Sequence, residues 1–169
     1  LSGGEEKLLF GKVVQYSSTL LPEDKPRYCM GVGYLEDIVV CIIYGVDMFD
    51  CVYPTRTARF GTAITIDGNI QLRHSEYEID FSPIDSECYC YTCRNFTRSY
   101  IHCLITKEPS ACHLLTIHNL HFYMNFMKSI RESISNNSFA EFVTKFFSRR
   151  YSVGNYPDWV SDAIRYMDN

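Results

Sequence analysis

Three cysteines fall within six residues, in the order Cys88-x-Cys90-x2-Cys93, and histidines recur afterwards at His102, His113, His118 and His121. Three thiolates and one imidazole make a tetrahedral zinc set. Four protein ligands fill that geometry and leave no position for an activated water, so the predicted site is structural. The tight spacing puts three ligands on one loop, and a later element must bring back the fourth. His118, with 24 residues between it and Cys93, is the candidate preferred here. His113 and His121 are close rivals and His102 a weaker one, because spacing alone does not choose among them. The competing reading is three buried thiols and unrelated histidines. The remaining cysteines, Cys29, Cys41, Cys51, Cys103 and Cys112, read as reduced core residues, as in the apolar run Val39-Val40-Cys41-Ile42-Ile43.

A second candidate is a carboxylate. Asp50 lies between Phe49 and Cys51 in an apolar run read as a strand, and a buried carboxylate is costly unless it is paired or used. A polar group near the C-terminal end of a parallel strand reads as catalytic. The next residues, Pro54-Thr55-Arg56-Thr57-Ala58-Arg59-Phe60-Gly61, read as a basic loop at the same end. A nucleophilic carboxylate beside arginines suits attack on a sugar carbon of a polyanion. On the residues alone, an Asp50 that caps the loop or pairs with Arg56 is as good a reading. Asp47 reads more simply as the residue that starts the strand.

The elements that must position these groups can be read from the pattern. Glu5–Leu21 is a predicted helix, Tyr28–Val32 a strand, Leu35–Tyr44 an apolar helix stopped by Gly45, and Asp47–Val52 a strand broken by Pro54. Helix, strand, helix and strand with short connections predict parallel α/β structure. Two strands make no stable sheet alone, so the chain reads as the end of a larger fold, with a (β/α)8 barrel of ~250 residues the natural candidate. After Pro54 the pattern changes. Thr62–Ile66 and Ile70–Arg73 flank Asp67-Gly68-Asn69, a hairpin signal. Then come an acidic stretch, the cysteine cluster, a helix from about Asn95 to Lys107, a long amphipathic helix from about Cys112 or Leu114 to Ser135, a further helix Phe139–Tyr151 and a packed tail.

Of the 169 residues, 46% are hydrophobic and 21% charged, and no apolar run approaches a membrane span. The start, Leu-Ser-Gly-Gly-Glu-Glu, has neither an initiator Met nor a signal peptide, so the expectation is a chain that begins inside a longer protein. A net charge of −4 argues against nucleic-acid binding by bulk charge. Its distribution is uneven: residues 75–93 carry five acids and no base, whereas 53–74 and 94–169 are net basic. Local basic patches suit a shaped RNA contact.

The string Gly45-Val-Asp47-Met-Phe-Asp50-Cys-Val-Tyr-Pro-Thr-Arg56-Thr-Ala-Arg59-Phe-Gly61 resembles the signature of the tRNA-guanine transglycosylases, the queuine tRNA-ribosyltransferases. Leu1-Ser-Gly-Gly-Glu5, Pro26-Arg-Tyr-Cys-Met30-Gly-Val-Gly33, the cysteine cluster and Thr116-Ile-His118-Asn119 resemble that family in the same order, as far as about Tyr151. The resemblance implies the C-terminal part of a modified (β/α)8 barrel with an inserted zinc-binding subdomain. Residues 1–61 would be the last helix-strand units of the barrel, 62–122 the hairpin and zinc subdomain, and 123–169 the C-terminal helices and tail. It implies that Asp50 is the nucleophile. Asp50 would attack C1′ of the wobble guanosine of a tRNA, expel guanine, and form a covalent ribosyl-enzyme intermediate that the incoming base resolves, as in double displacement by retaining glycosidases.

One structural zinc would sit on Cys88, Cys90, Cys93 and His118. RNA contacts would come from Gly31, Val32, Gly33, Tyr34, Leu35, Glu36 and Asp37, and from Thr55, Arg56, Thr57, Ala58 and Arg59. Leu1, Gly3 and Met30 would line the base pocket. Bacterial members carry valine where this chain has Gly3, and the missing side chain favours a larger base, queuine. The implied partners are tRNA with a guanine wobble base, queuine, and a non-catalytic paralogous subunit in a heterodimer. A cytoplasmic location is expected. The mitochondrial outer surface, reached by peripheral membrane association and not by a transmembrane segment, is the alternative considered. The family's general base lies upstream of Leu1, so this piece alone is expected to be inactive. Two rivals stand beside this reading: the non-catalytic tRNA-docking partner subunit, which lacks the Asp-Cys-Val-x-Pro-Thr-Arg string, and an unrelated zinc-ribbon RNA-binding module, which would not need an α/β strand carrying a buried Asp.

Overall fold

A computed structural model of the chain describes residues 6–105, 107–108, 110–152 and 155–167. Leu1 and Gly3 lie outside the described residues. In chain order the elements are α1 (Lys7–Leu20), β1 (Tyr28–Cys29), α2 (Leu35–Ile43), β2 (Met48–Phe49), α3 (Tyr53–Arg59), β3 (Thr62–Thr65) and β4 (Gly68–Gln71). A 3-10 turn at Ser75–Tyr77 follows, then α4 (Tyr91–Asn95), α5 (Arg98–Ile105), α6 (Ser110–Ser135), α7 (Phe139–Arg150) and α8 (Asp158–Met167). The protein is mixed α/β and rich in helix. Its contacts divide it into two compact units, Leu1–Val52 with Phe139–Asn169, and Tyr53–Ser138. These contact boundaries fall after Val52 and Ser138; the resemblance implies divisions after 61 and 122. No helix among the described residues is long and apolar enough to cross a membrane.

In the first unit β1 and β2 pair in parallel, Tyr28 opposite Met48 and Cys29 opposite Phe49. Parallel neighbours need a crossover, and α2 supplies it. Leu35, Ile38, Val39, Val40 and Cys41 of α2 are all buried, so this short helix is wrapped on most sides. Its N-terminal turn carries Glu36 and Asp37, where the helix dipole favours negative charge. Two cations from elsewhere in the unit hold them. Lys7 of α1 donates to Asp37 Oδ1 at 2.6 Å, and Arg150 of α7 reaches Glu36 Oε1 at 2.7 and 2.8 Å. The chain leaves α2 through Gly45, whose φ of +89° suits glycine.

The predicted tail is a helix. Pro157 stands just before α8, Val160 and Ala163 are buried, Tyr166 packs edge-on to Tyr44 at 5.2 Å, and Trp159 lies 5.6 Å from the Lys7 ammonium. The described strands of this unit, β1 and β2, form a two-stranded ladder, not a closed barrel. They are also shorter than the apolar runs suggested, since only two residues of each pair.

In the second unit β3 and β4 form the expected antiparallel hairpin, but its loop is Ile66-Asp67 and not Asp67-Gly68-Asn69: Thr65 stands opposite Gly68 and Ile64 opposite Asn69, so Gly68 and Asn69 belong to β4. Ala58, Ala63, Leu72, Ile84, Ile101, Ile105, Ala111 and Leu115 make the core. The Pro54–Arg59 stretch, expected as a loop, is the helix α3. Pro54 sits in its first turn, where a missing N–H does no harm. The helix expected over Asn95–Lys107 is the shorter α5, and an unexpected short helix, α4, precedes it and ends where Phe96 is extended. The break frees the first N–H groups of α5 for the acidic stretch: Arg98 donates to the Ser82 carbonyl at 2.9 Å and Ser99 to that of Asp80 at 2.8 Å. The long helix α6 buries Ala111, Leu115, His118, Asn119, Tyr123, Phe126, Ile130 and Ser133, a stripe of three- and four-residue steps with two polar side chains set in its middle.

Candidate functional site

Asp50 is the residue just past β2, at the C-terminal ends of the two parallel strands. It is exposed, which corrects the expectation of a buried carboxylate inside the strand: pairing stops at Phe49, and the next side chain is free of the sheet. The phenol of Tyr28 donates to Asp50 Oδ1 at 2.5 Å, and the backbone N–H of Gly31 donates to the same oxygen at 3.0 Å. Oδ2 accepts no bond from another described residue. The Tyr28 hydrogen bond first, and the Gly31 amide second, hold the Asp50 carboxyl below its ordinary pKa, while the same bond pushes the Tyr28 phenol up. The site thus presents an ionised carboxylate with one oxygen restrained and the other available. Gly31 reaches this position with φ +71°, which an L side chain rarely adopts, although a Cβ there would meet nothing within 4 Å.

Asp47 has another task. Its Oδ2 accepts the Arg27 N–H at 2.8 Å, while its own N–H donates to the Arg27 carbonyl at 2.9 Å, so it fixes the start of β2. Met30, between Tyr28 and Gly31 along the chain, is 74% exposed and available to a ligand. Leu1 and Gly3, which the resemblance also implies for the base pocket, lie outside the described residues. In the stretch Gly31–Asp37, the side chains divide. Tyr34 is exposed, as is Gly31, whereas Val32, Gly33, Leu35 and Asp37 are buried and Glu36 is partly covered in its pair with Arg150.

The second unit carries the cysteine cluster. Cys88, Cys90, Cys93 and His118 each offer one ligand atom, and the four atoms all lie within 4.8 Å of one another. His118 Nδ1 is 3.3 Å from Cys93 Sγ and 3.7 Å from both Cys88 Sγ and Cys90 Sγ. The other ring nitrogen, Nε2, lies 3.0 Å from the Ile64 carbonyl. A carbonyl only accepts, so Nε2 carries the hydrogen and Nδ1 turns its lone pair to the three sulfurs, the tautomer a metal ligand needs. Cys90 also caps α4, its sulfur accepting the Cys93 N–H at 3.4 Å, and Thr92 donates to the Leu114 carbonyl at 2.7 Å to tie the loop to α6. The thiols share charge unevenly. Donation from Cys93 pulls Cys88 down to about 3, while Cys93, holding that proton, is pushed up, and burial raises Cys90. Soft donors in this number and spacing fit one metal ion with filled coordination. The rival histidines are engaged elsewhere or face outward: His102 Nδ1 is 2.8 Å from the Leu72 carbonyl, His121 is bonded to Asn125, and His113 is exposed.

Asn119 was not foreseen as a positioning group. Fully buried beside His118, it donates to the carbonyls of Pro54 at 2.9 Å and Thr62 at 3.0 Å. Its Oδ1 accepts the Ile64 N–H at 2.9 Å. Two adjacent side chains of α6 therefore satisfy both backbone groups of Ile64, and one of them also fixes the first turn of α3. On α3 the guanidinium-bearing Arg56 and Arg59 are both exposed, one turn apart. Thr57 folds back onto the Tyr53 carbonyl at 2.6 Å, Thr55 is half-buried, and Ala58 is fully buried, so the side chain of Ala58 belongs to the core. Tyr28 was also missed. The parallel register that sets it beside the end of β2 was the signal that could have found it.

The family model described as queuine tRNA-ribosyltransferase matches residues 1–152. The chain belongs to the queuine tRNA-ribosyltransferase family. It is 46% identical over 177 residues to the queuine tRNA-ribosyltransferase catalytic subunit of Schizosaccharomyces pombe, a match covering 99% of this chain and 44% of that protein. It is equally 46% identical over 182 residues to the catalytic subunit of Caenorhabditis briggsae, covering 99% of this chain and 46% of the relative. To the queuine tRNA-ribosyltransferase of Bacillus pumilus it is 47% identical over 150 residues, 88% of this chain and 39% of that protein. The chain thus spans under half the length of each of these queuine tRNA-ribosyltransferases.

Proposed function

We propose that this chain is the C-terminal part of the catalytic subunit of a tRNA-guanine transglycosylase, which exchanges guanine at the anticodon wobble position for queuine. The observation that carries the reading is the exposed, ionised Asp50 at the ends of two parallel strands, with Oδ2 available. Such a carboxylate can attack the ribose C1′ and release guanine, and the covalent ester then yields to the incoming base. In the whole protein β1 and β2 would be two strands of a (β/α)8 barrel, whose other strands carry the general base. Met30, with Leu1 and Gly3, would line the base pocket.

Arg56 and Arg59 would meet the anticodon loop, because planar guanidinium groups suit phosphates and base edges. From Gly31–Asp37 the contact would fall to Gly31 and Tyr34. Of Thr55–Arg59, only the two arginines and Thr55 would offer side chains. Zinc is the metal proposed for Cys88, Cys90, Cys93 and His118. When bound it would hold the cysteine loop to α6 and take no part in the exchange. A heterodimer with a non-catalytic paralogue, a cytoplasmic location and a peripheral rather than spanning membrane association complete the proposal.

The test is a denaturing gel that traps the tRNA adduct of the full-length protein, run beside a tRNA binding titration. Asp50→Asn keeps the size of the side chain but removes its nucleophilicity, so the adduct disappears while binding persists. Adduct formation by Asp50→Asn would overturn the assignment.

A further inference from the structure

We propose that Tyr28 is a positioning residue that governs how Asp50 leaves the covalent intermediate, an inference that rests on Asp50 being the nucleophile. The geometry is specific. The hydrogen bonds that other described residues give the carboxylate both fall on Oδ1, from the Tyr28 phenol at 2.5 Å and the Gly31 amide at 3.0 Å. They fix the plane of the carboxyl group and leave Oδ2 without a donor from another described residue, free to react. The two donors come from β1 and the turn after it, and the acceptor from the end of β2, so the parallel ladder itself sets the contact.

The bond changes strength during the reaction. In the first step Oδ2 forms a bond to C1′, the bond from C1′ to guanine breaks, and guanine departs with the electron pair. Oδ1 is then the carbonyl of a neutral ester, and a phenol donates to it more weakly than to a carboxylate. In the second step a nitrogen of the incoming base bonds to C1′, and the C1′–Oδ2 bond returns its electron pair to the carboxylate. The proton that guanine gains and the one the incoming base sheds balance. Tyr28 thus stabilises Asp50 as a leaving group more than it stabilises the ester. The low pKa of Asp50 agrees with this bias. Strengthening the leaving group in this way draws the intermediate toward release.

Tyr28→Phe in the full-length protein keeps the ring and deletes the donor. The expected result is a tRNA adduct whose lifetime, after a chase with free guanine, lengthens about tenfold, the size of a charge-assisted hydrogen bond lost to one state alone. The acid limb of the exchange profile should move to higher pH, because Asp50 loses its main acidifying partner. A purely structural role for Tyr28 would instead lower adduct formation and leave the acid limb in place, and that result, or an unchanged lifetime, overturns the inference. Carbon NMR titration of the Asp50 carboxyl in Tyr28→Phe reads the same effect without turnover, and an unmoved titration overturns it as well. Asp50→Asn separates the two claims. If it abolishes the adduct while Tyr28→Phe behaves as wild type, only the role of Tyr28 falls; if it still forms the adduct, the nucleophile assignment falls with it.

Discussion

The side chain of Asn119 accepts the backbone N–H of Ile64 at 2.9 Å, and neither residue is exposed beyond 1%. The same amide donates to the carbonyls of Pro54 and Thr62. Asn119→Ala therefore strands two backbone groups in the interior, the Ile64 N–H and the Thr62 carbonyl, while the Pro54 carbonyl keeps the Thr57 hydroxyl at 3.2 Å; an unmade buried hydrogen bond costs more than a made one gains. The expected destabilisation is about 2–4 kcal/mol. Denaturant unfolding of the purified protein measures it. Asn119→Asp should be worse, because a buried carboxylate would face two carbonyl oxygens. A variant as stable as the parent would mean that the amide is not holding α3 and β3 to α6.

Metal removal is the second expectation. One metal ion should be bound per chain and lost in Cys90→Ser. Stripping it with a chelator should make the thiols of Cys88, Cys90 and Cys93 reactive together and lower the melting temperature by many degrees. Structural zinc in small sites contributes about 10–16 kcal/mol of apparent binding energy. Folded, metal-free protein with the same melting curve would sink the idea.

The Lys7–Asp37 pair gives a prediction with a sign. Burial raises the Asp37 carboxyl, and Lys7 opposes the rise. A carboxyl raised in the folded state binds its proton more readily there than in the unfolded chain. Its contribution to stability therefore falls as pH rises from the ordinary carboxylate range through the raised folded value. Lys7→Met widens that window by taking away the opposing charge. The variant should lose about 1–2 kcal/mol at pH 7, a modest figure because the Lys7 side chain is 44% exposed and solvent screens the pair. Parallel melts at pH 5 and pH 7 decide, and a deficit that grows on acidification would contradict the mechanism.

For Arg56 and Arg59 the readout is salt. If each meets a phosphate, Arg56→Ala and Arg59→Ala should each weaken tRNA binding by the full-length protein and lower the slope of log affinity against log salt by about one. If either reads a base instead, the slope stays and discrimination between anticodon loops relaxes. Unchanged affinity and discrimination in both variants would remove α3 from the RNA surface.

Much of this was legible because it is local. Cys88, Cys90 and Cys93 share one loop, and the hairpin turn announces itself through Asp67 and Gly68. The choice among the histidines was not local, since it depends on which face of α6 turns inward. The apolar stripe through Ala111, Leu115, Phe126 and Ile130 contains His118 and excludes His113, so the signal was present in the helical period. Tyr28 escaped because its role depends on a residue 22 positions away and on strand register. Asp50 was read as buried because its neighbours are apolar, but the ladder ends one residue earlier. The helix α8 was passed over although Pro157 and Asp158 form a recognisable start.

The bond from His118 to the Ile64 carbonyl spans 54 residues of sequence, and this imposes an order in time. At a synthesis rate of ~5–20 residues per second, roughly 3–11 s pass between the emergence of β3 and that of the imbedded histidine. The three thiols emerge in between. The thiol trio therefore leaves the ribosome before the histidine that completes the set, and the imidazole is held in the tautomer that turns Nδ1 to the sulfurs only where α6 is docked on the hairpin.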